Sequence, residues 1–304
     1  MNTNLRAIEL LEANKYDESF MLFKKAVAES RDVQSLTNVA WIYSYEEDDD
    51  ETALAFILEA INLKPISYFP YSLLGEIYLK QQRWQEASNV LLQSIAIHPS
   101  VGAYQNLGVA KYHLRELEEA SQYFLRGAND SDQSMYSHVK CLIELGQLGE
   151  AQRKLALFSD KDEEFVGEIE VAELYVEIGS FEQAIQWFEK GWQSYWKQPN
   201  WVNRFIYSLL QTNNISRAQE IVNDVIQDKN EEIETDHDAE YDEHWTEQDQ
   251  EEYINQLLLE RNEYELILER MSSGYIPVMV FNTSMYTGCY LFGCKRHNHP
   301  EYEA

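Results

Sequence analysis

Residues 71–99 read YSLLGEIYLKQQRWQEASNVLLQSIAIHP, and this stretch decides the fold. Tyr71, Leu74 and Tyr78 are spaced three and then four apart, which keeps one stripe on a first helix facing a neighbour. Trp84, Ala87 and Leu91 repeat that spacing on a second helix. Gly75 and Ala87 are small, as required where two helix backbones approach closely. Pro99 lacks the amide hydrogen needed to continue a helix, so the unit stops there.

The same signature, a lead residue followed three positions later by Ala or Ser, recurs along the chain. The series is Tyr16/Ser19, Asp50/Ala53, Trp84/Ala87, Leu117/Ala120, Leu148/Ala151, Phe181/Ala184 and Ile215/Ala218. The small residues fall at intervals of 34, 34, 33, 31, 33 and 34. A period near 34 that pairs two helical patterns is the mark of a stacked helical-hairpin array.

Tyr71, Leu74, Gly75, Tyr78, Ala87 and Pro99, together with Tyr104, Leu107, Gly108, Ala120 and Phe124 in the next copy, resemble the tetratricopeptide repeat family. The resemblance covers about seven repeats over residues 4–227. Departures are local: Trp41 and Ile206 sit at small-residue positions, and His138 takes an apolar one. The resemblance implies an all-α, right-handed solenoid of helical hairpins, with the first helices lining a groove. It places Asn38, Tyr45, Glu76, Gln105, Tyr112, His113, Lys140, Glu144, Glu173, Glu177, Asn203, Tyr207 and Gln211 on that groove. With one lysine among them, the set does not resemble the basic clamp by which some members grip a C-terminal carboxylate. Any one of these residues reads equally well as solvated helix surface.

The formal charge is -29. Residues 1–227 hold 19 Lys+Arg against 34 Asp+Glu, and residues 228–304 hold 5 against 19. Such a field repels nucleic acid and anionic membrane and speeds encounter with a basic partner. Three cysteines do not make a disulfide framework, no apolar run is long enough to span a bilayer, and the N-terminus has no apolar targeting core. The expectation is a cytoplasmic protein.

Beyond the array the sequence divides further. Residues 228–252 carry 13 Asp or Glu, which predicts an acidic, flexible linker. Residues 253–304 read as a C-terminal helix and a small β-containing tail. Thr246 and Asp249 have the spacing of a capping box, starting a helix that runs to about Met271. Tyr275–Phe281 is rich in β-branched and aromatic residues, and Cys289–Phe292 is positioned to pair with it as a second strand. A shorter acidic run, residues 46–51, falls where the first helix of copy two ends; its carboxylates oppose that helix's dipole, and an exposed turn is the reading.

No phosphate-cradling glycine loop, paired-His metal motif or dinucleotide fingerprint occurs. Cys289, Cys294, His297 and His299 are the right donor types for zinc, but their spacing departs from the common arrangement. Packing cysteines and a polar tail are the alternative reading. The expected function is a non-catalytic protein–protein interaction scaffold with an acidic groove for a basic polypeptide, the sharper form being an immunity-type inhibitor of a toxin. The alternatives are a peptide-responsive signalling regulator and a C-terminal metal-binding module targeted by the repeats.

Overall fold

The structure, a computed structural model, describes residues 2–128, 131–163, 165–237 and 245–296. Among these residues fifteen α-helices follow one another without a strand. The first fourteen follow one another in pairs: α1 (Thr3–Glu12) with α2 (Tyr16–Glu29), α3 (Val33–Tyr45) with α4 (Asp50–Asn62), and α5 (Phe69–Lys80) with α6 (Trp84–Ile97). Next are α7 (Val101–His113) with α8 (Leu117–Gly127), and α9 (Asp132–Glu144) with α10 (Leu148–Leu155). The last two are α11 (Glu168–Glu177) with α12 (Phe181–Gly191), and α13 (Pro199–Gln211) with α14 (Ile215–His237). A further helix, α15 (Glu247–Ser272), follows.

The lead residue of every sequence signature is the first residue of a second helix. Two positions before it stands a residue with positive φ: Asn14, Asp48, Gln82, Arg115, Gly146, Gly179 and Asn213. That left-handed residue reverses the chain after the first helix, and the next amide reaches back to a carbonyl near the helix end, as in Arg83 N to Tyr78 O at 2.8 Å. The signature's small residues, Ser19, Ala53, Ala87, Ala120, Ala151, Ala184 and Ala218, are all fully buried. Gly75 and Gly108 show why the crossing demands them. A Cβ on Gly75 would lie 2.6 Å from the Leu91 side chain, and one on Gly108 2.5 Å from the Phe124 ring.

The chain divides into two compact units, Met1–Leu145 together with Thr283–Ala304, and Gly146–Asn282. In the first, each helix from α1 to α9 packs on the next, and the first helices α1, α3, α5 and α7 also touch in series. In the second, α13 packs on α11 and α14, and α15 packs on both α14 and α13, the place a next first helix would take. The expected boundaries at 227 and 252 do not coincide with this division.

Two expectations need correction. The acidic stretch after residue 227 does not start a linker: α14 continues to His237. Its one lysine, Lys229, is buried between Glu232 (3.1 Å) and Glu260 of α15 (2.9 Å) and lies over the Trp196 ring. Tyr253 donates to Glu232 at 2.7 Å. Buried pairing and a helix alongside outweigh the repulsion that composition alone suggests. The start of α15 agrees with the sequence, since Thr246 and Asp249 form the reciprocal capping box. The small β element is the second correction. Residues 275–282 and 289–292 form no strand ladder; side chains of the helices hold their main chain, Arg204 at Pro277 O and Asn38 at Phe292 N.

In the run 46–51, residues 46–48 form the exposed turn expected after α3, and the rest of the run serves the next helix. Asp49 caps α4 by accepting from Thr52 N at 2.9 Å, and Asp50 and Glu51 sit in that helix's first turn, where carboxylates favour the dipole.

Candidate functional site

Within the first unit, residues 283–296 form neither helix nor strand and cross the faces of α7, α5, α3 and α1, opposite to the order of the repeats. They turn at 291–294, where Cys294 N donates to Leu291 O at 3.1 Å and Gly293 takes a positive φ. The hold is on the main chain. Asn106 on α7 donates from Nδ2 to Tyr286 O at 2.9 Å and accepts from Tyr286 N at 2.7 Å through Oδ1. Asn38 on α3 does the same to Phe292, at 3.1 and 2.7 Å. In an extended chain the N–H and C=O of one residue point to the same side, so a primary amide pairs with both as a neighbouring strand would. Gln105 Nε2 donates to Ser284 O at 2.7 Å, and Trp41 Nε1 to Gly288 O at 2.9 Å. These contacts do not read the sequence of what they hold.

Side chains add selectivity. The Tyr290 hydroxyl donates to Glu76 Oε1 at 2.5 Å, and its ring meets Phe69 edge-on at 5.7 Å. The Phe292 ring packs on the same Phe69 at 5.0 Å. Tyr290, Leu291 and Cys294 join the core of this unit. Tyr286 lies flat on α7 because Gly102 has no Cβ; one there would be 2.3 Å from the ring. At one end His113, stacked on Trp84 at 4.0 Å, makes a 2.8 Å hydrogen bond with Thr283. At the other, Arg296 donates to Glu12 O at 2.7 Å.

Glu76 is fully buried, and burial pushes its carboxyl up to about 8, against hydrogen bonds from Tyr290, Tyr45 and Gly288 N that favour the charge. In the unfolded chain a glutamate ionises near 4.5. Between those values the folded state binds the extra proton, so stability falls as pH rises from about 5 and the loss is complete above about 8. Glu76→Gln removes the titrating group. Relative to the wild type it should gain on the order of 3 kcal/mol between pH 5 and pH 8. Urea unfolding midpoints at the two pH values check this; a constant difference would mean that Glu76 ionises normally.

Of the residues expected on the groove, Asn38, Glu76, Gln105 and His113 touch this segment directly. Tyr45 reaches it through Glu76, to which its hydroxyl donates. Tyr112 donates instead to Glu144, which also pairs with Lys140 at 3.4 Å. In the second unit, Glu173 and Glu177 hold the buried Arg204, at 3.4 and 2.8 Å. Arg204 also donates to Pro277 O at 3.1 Å and Glu173 O at 3.0 Å. Asn203 donates to Glu263 of α15 at 2.7 Å, Tyr207 meets Phe181 edge-on, and Gln211 is exposed.

Sequence reasoning missed Asn106, Trp41 and Arg204. Asn106 and Arg204 share a signal: each stands two residues before the small-residue position of its first helix, where copies two and three have Val39 and Leu73. Both of those are fully buried. A polar residue in that slot must find a partner, and each finds a carbonyl of the extended C-terminal stretch in its own unit.

For the zinc reading, Cys289 is half-buried and Cys294 buried, while His297 and His299 lie outside the described residues. Among the described residues no group of three or more potential metal ligands stands together, and no helix is long and apolar enough to cross a membrane.

Comparison with known proteins agrees with this geometry. A family model described as a tetratricopeptide repeat matches residues 71–102. The fold is a tetratricopeptide-repeat-like helical solenoid. Among solved structures, a tetratricopeptide repeat protein from Parabacteroides merdae is 16% identical, covers 80% of this chain and 93% of its own, and superimposes with a TM-score of 0.53. PilW, a type IV pilus biogenesis factor, is 19% identical over 64% of this chain and 91% of its own, with a TM-score of 0.50. These likenesses concern the repeat fold alone. No curated protein matches the chain.

Proposed function

We propose that this chain is a non-catalytic protein-interaction scaffold whose first helices receive an extended polypeptide by its main chain. The observation that carries the reading is the paired two-point grip of Asn38 and Asn106 on an extended backbone. Repeat arrays of this kind work by offering surface, and the first unit offers amides, aromatic rings and a buried carboxyl there. A net charge of -29 favours encounter with a basic partner in the cytoplasm, and shielding a basic toxin domain is the sharpest form of that reading.

Affinity capture at low and moderate salt tests it. The principal partner should be basic, should weaken as ionic strength rises, and should be eluted by a synthetic peptide of residues 283–296. An acidic partner, or one indifferent to the peptide, would count against the reading.

A further inference from the structure

We propose that residues 283–296 are a resident, exchangeable occupant of the first-helix face, displaced by an uncharged extended segment of a partner polypeptide. The proposal rests on the binding reading above and adds two things to it: the chemistry of the partner segment and an internal competitor that gates access.

The resident segment supplies the chemistry. Main-chain contacts fall on residues 284, 286, 288 and 292. Position 288 must be small, because a Cβ there would lie 2.6 Å from the Tyr290 ring. Position 290 takes a hydroxyl-bearing aromatic that reaches Glu76, and position 292 a second aromatic on Phe69. The fitting ligand is therefore small-x-Tyr-x-aromatic. A charged side chain at position 290 would enter a pocket that includes Phe69 and the buried Glu76, with no water to solvate it.

The segment is also built to come away. It is fastened by side chains rather than by a strand ladder, and Tyr286 remains 48% exposed. Cavities of about 570 and 230 Å3 flank it, both reaching Gly288 and Cys289. Gly293 is held at φ +96°, and a Cβ on it would lie 2.6 Å from Leu5. A tethered occupant acts at an effective concentration of roughly millimolar, so an identical free segment binds only weakly until the tether's hold is reduced.

Gly293→Val reduces that hold without changing the helices. A fluorescein-labelled peptide of residues 283–296, titrated into the full-length chains by anisotropy, should bind Gly293→Val at least tenfold more tightly than the wild type. Adding Asn38→Ala and Asn106→Ala to the Gly293→Val chain should abolish that gain. Equal affinity for both chains would show a face that takes peptides with no internal competitor, and would sink this inference alone. No binding to either chain, with the variant's residues 283–296 open to hydrogen exchange, would sink the binding reading as well. Dimers formed by wild type through exchange of the segment between copies would replace the proposal by a swap. A second measurement needs no variant: in the wild type the Tyr286 and Phe292 amides should exchange faster than those of α3 and α7. If they exchange only with the helices, the segment is core and the proposal fails.

Discussion

Arg204→Ala should cost about 3–5 kcal/mol, read as a fall in the urea midpoint of the second unit. The side chain is 1% exposed. Its guanidinium spans Glu177 at 2.8 Å, Glu173 O at 3.0 Å and Pro277 O at 3.1 Å. Nε lies 3.4 Å from Glu173 Oε1, within ion-pair range though not aligned as a hydrogen bond. Truncation removes a buried guanidinium from beside two carboxylates, one of them largely buried, and takes the donor from Pro277 O. Arg204→Lys should recover only part of the loss, since one ammonium cannot fork to carboxylate and carbonyl in the same plane. Adding Glu173→Gln and Glu177→Gln to Arg204→Ala should return more, because it removes the two negative charges that the guanidinium faced. An Arg204→Ala chain within 1 kcal/mol of wild type would show that the cluster is solvated, contrary to its burial.

The repeats were legible because their signals are local and periodic. A small residue recurring near every 34th position, with a left-handed turn two residues before each lead, follows from packing one hairpin on the next. Capping chemistry at Thr246 was legible for the same reason. The C-terminal stretch was only half legible. Its period of two is real: Pro277 and Met279 are buried, while Ile276, Val278 and Val280 are exposed. Alternation shows that a chain is extended, but it does not say what pairs with it. Here amide and guanidinium side chains far away in sequence take the part of a neighbouring strand. Composition misled at residues 228–237 because it counts charges without knowing that α15 lies alongside. Asn38 was found through the resemblance and Asn106 was not. Its slot belongs to the core in the two preceding copies, and only a buried partner explains an amide there.

Asn38→Ala combined with Asn106→Ala should release residues 283–296 from the first unit while the helices stay folded. Each asparagine satisfies one N–H and one C=O of the extended chain. A main-chain group kept buried without a partner costs about 1–3 kcal/mol. Three of the four groups would be left so, since Phe292 O also accepts from Gln34 Nε2 at 3.4 Å, and leaving the helices lets water satisfy them. The expected readout is at least a hundredfold faster exchange at the Tyr286 and Phe292 amides, equivalent to about 2.7 kcal/mol, with helical circular dichroism nearly unchanged. Asn38→Asp separates shape from hydrogen bonding: a carboxylate still accepts from Phe292 N but sets an anionic oxygen against Phe292 O, so it should release the segment about as well as alanine does. The two sites should also be non-additive, the double variant costing less than the sum of the singles. Once either grip is lost the same segment departs, and the second asparagine has nothing left to hold. Strict additivity would mean that each asparagine secures only its own stretch, and that the segment is not displaced as one piece.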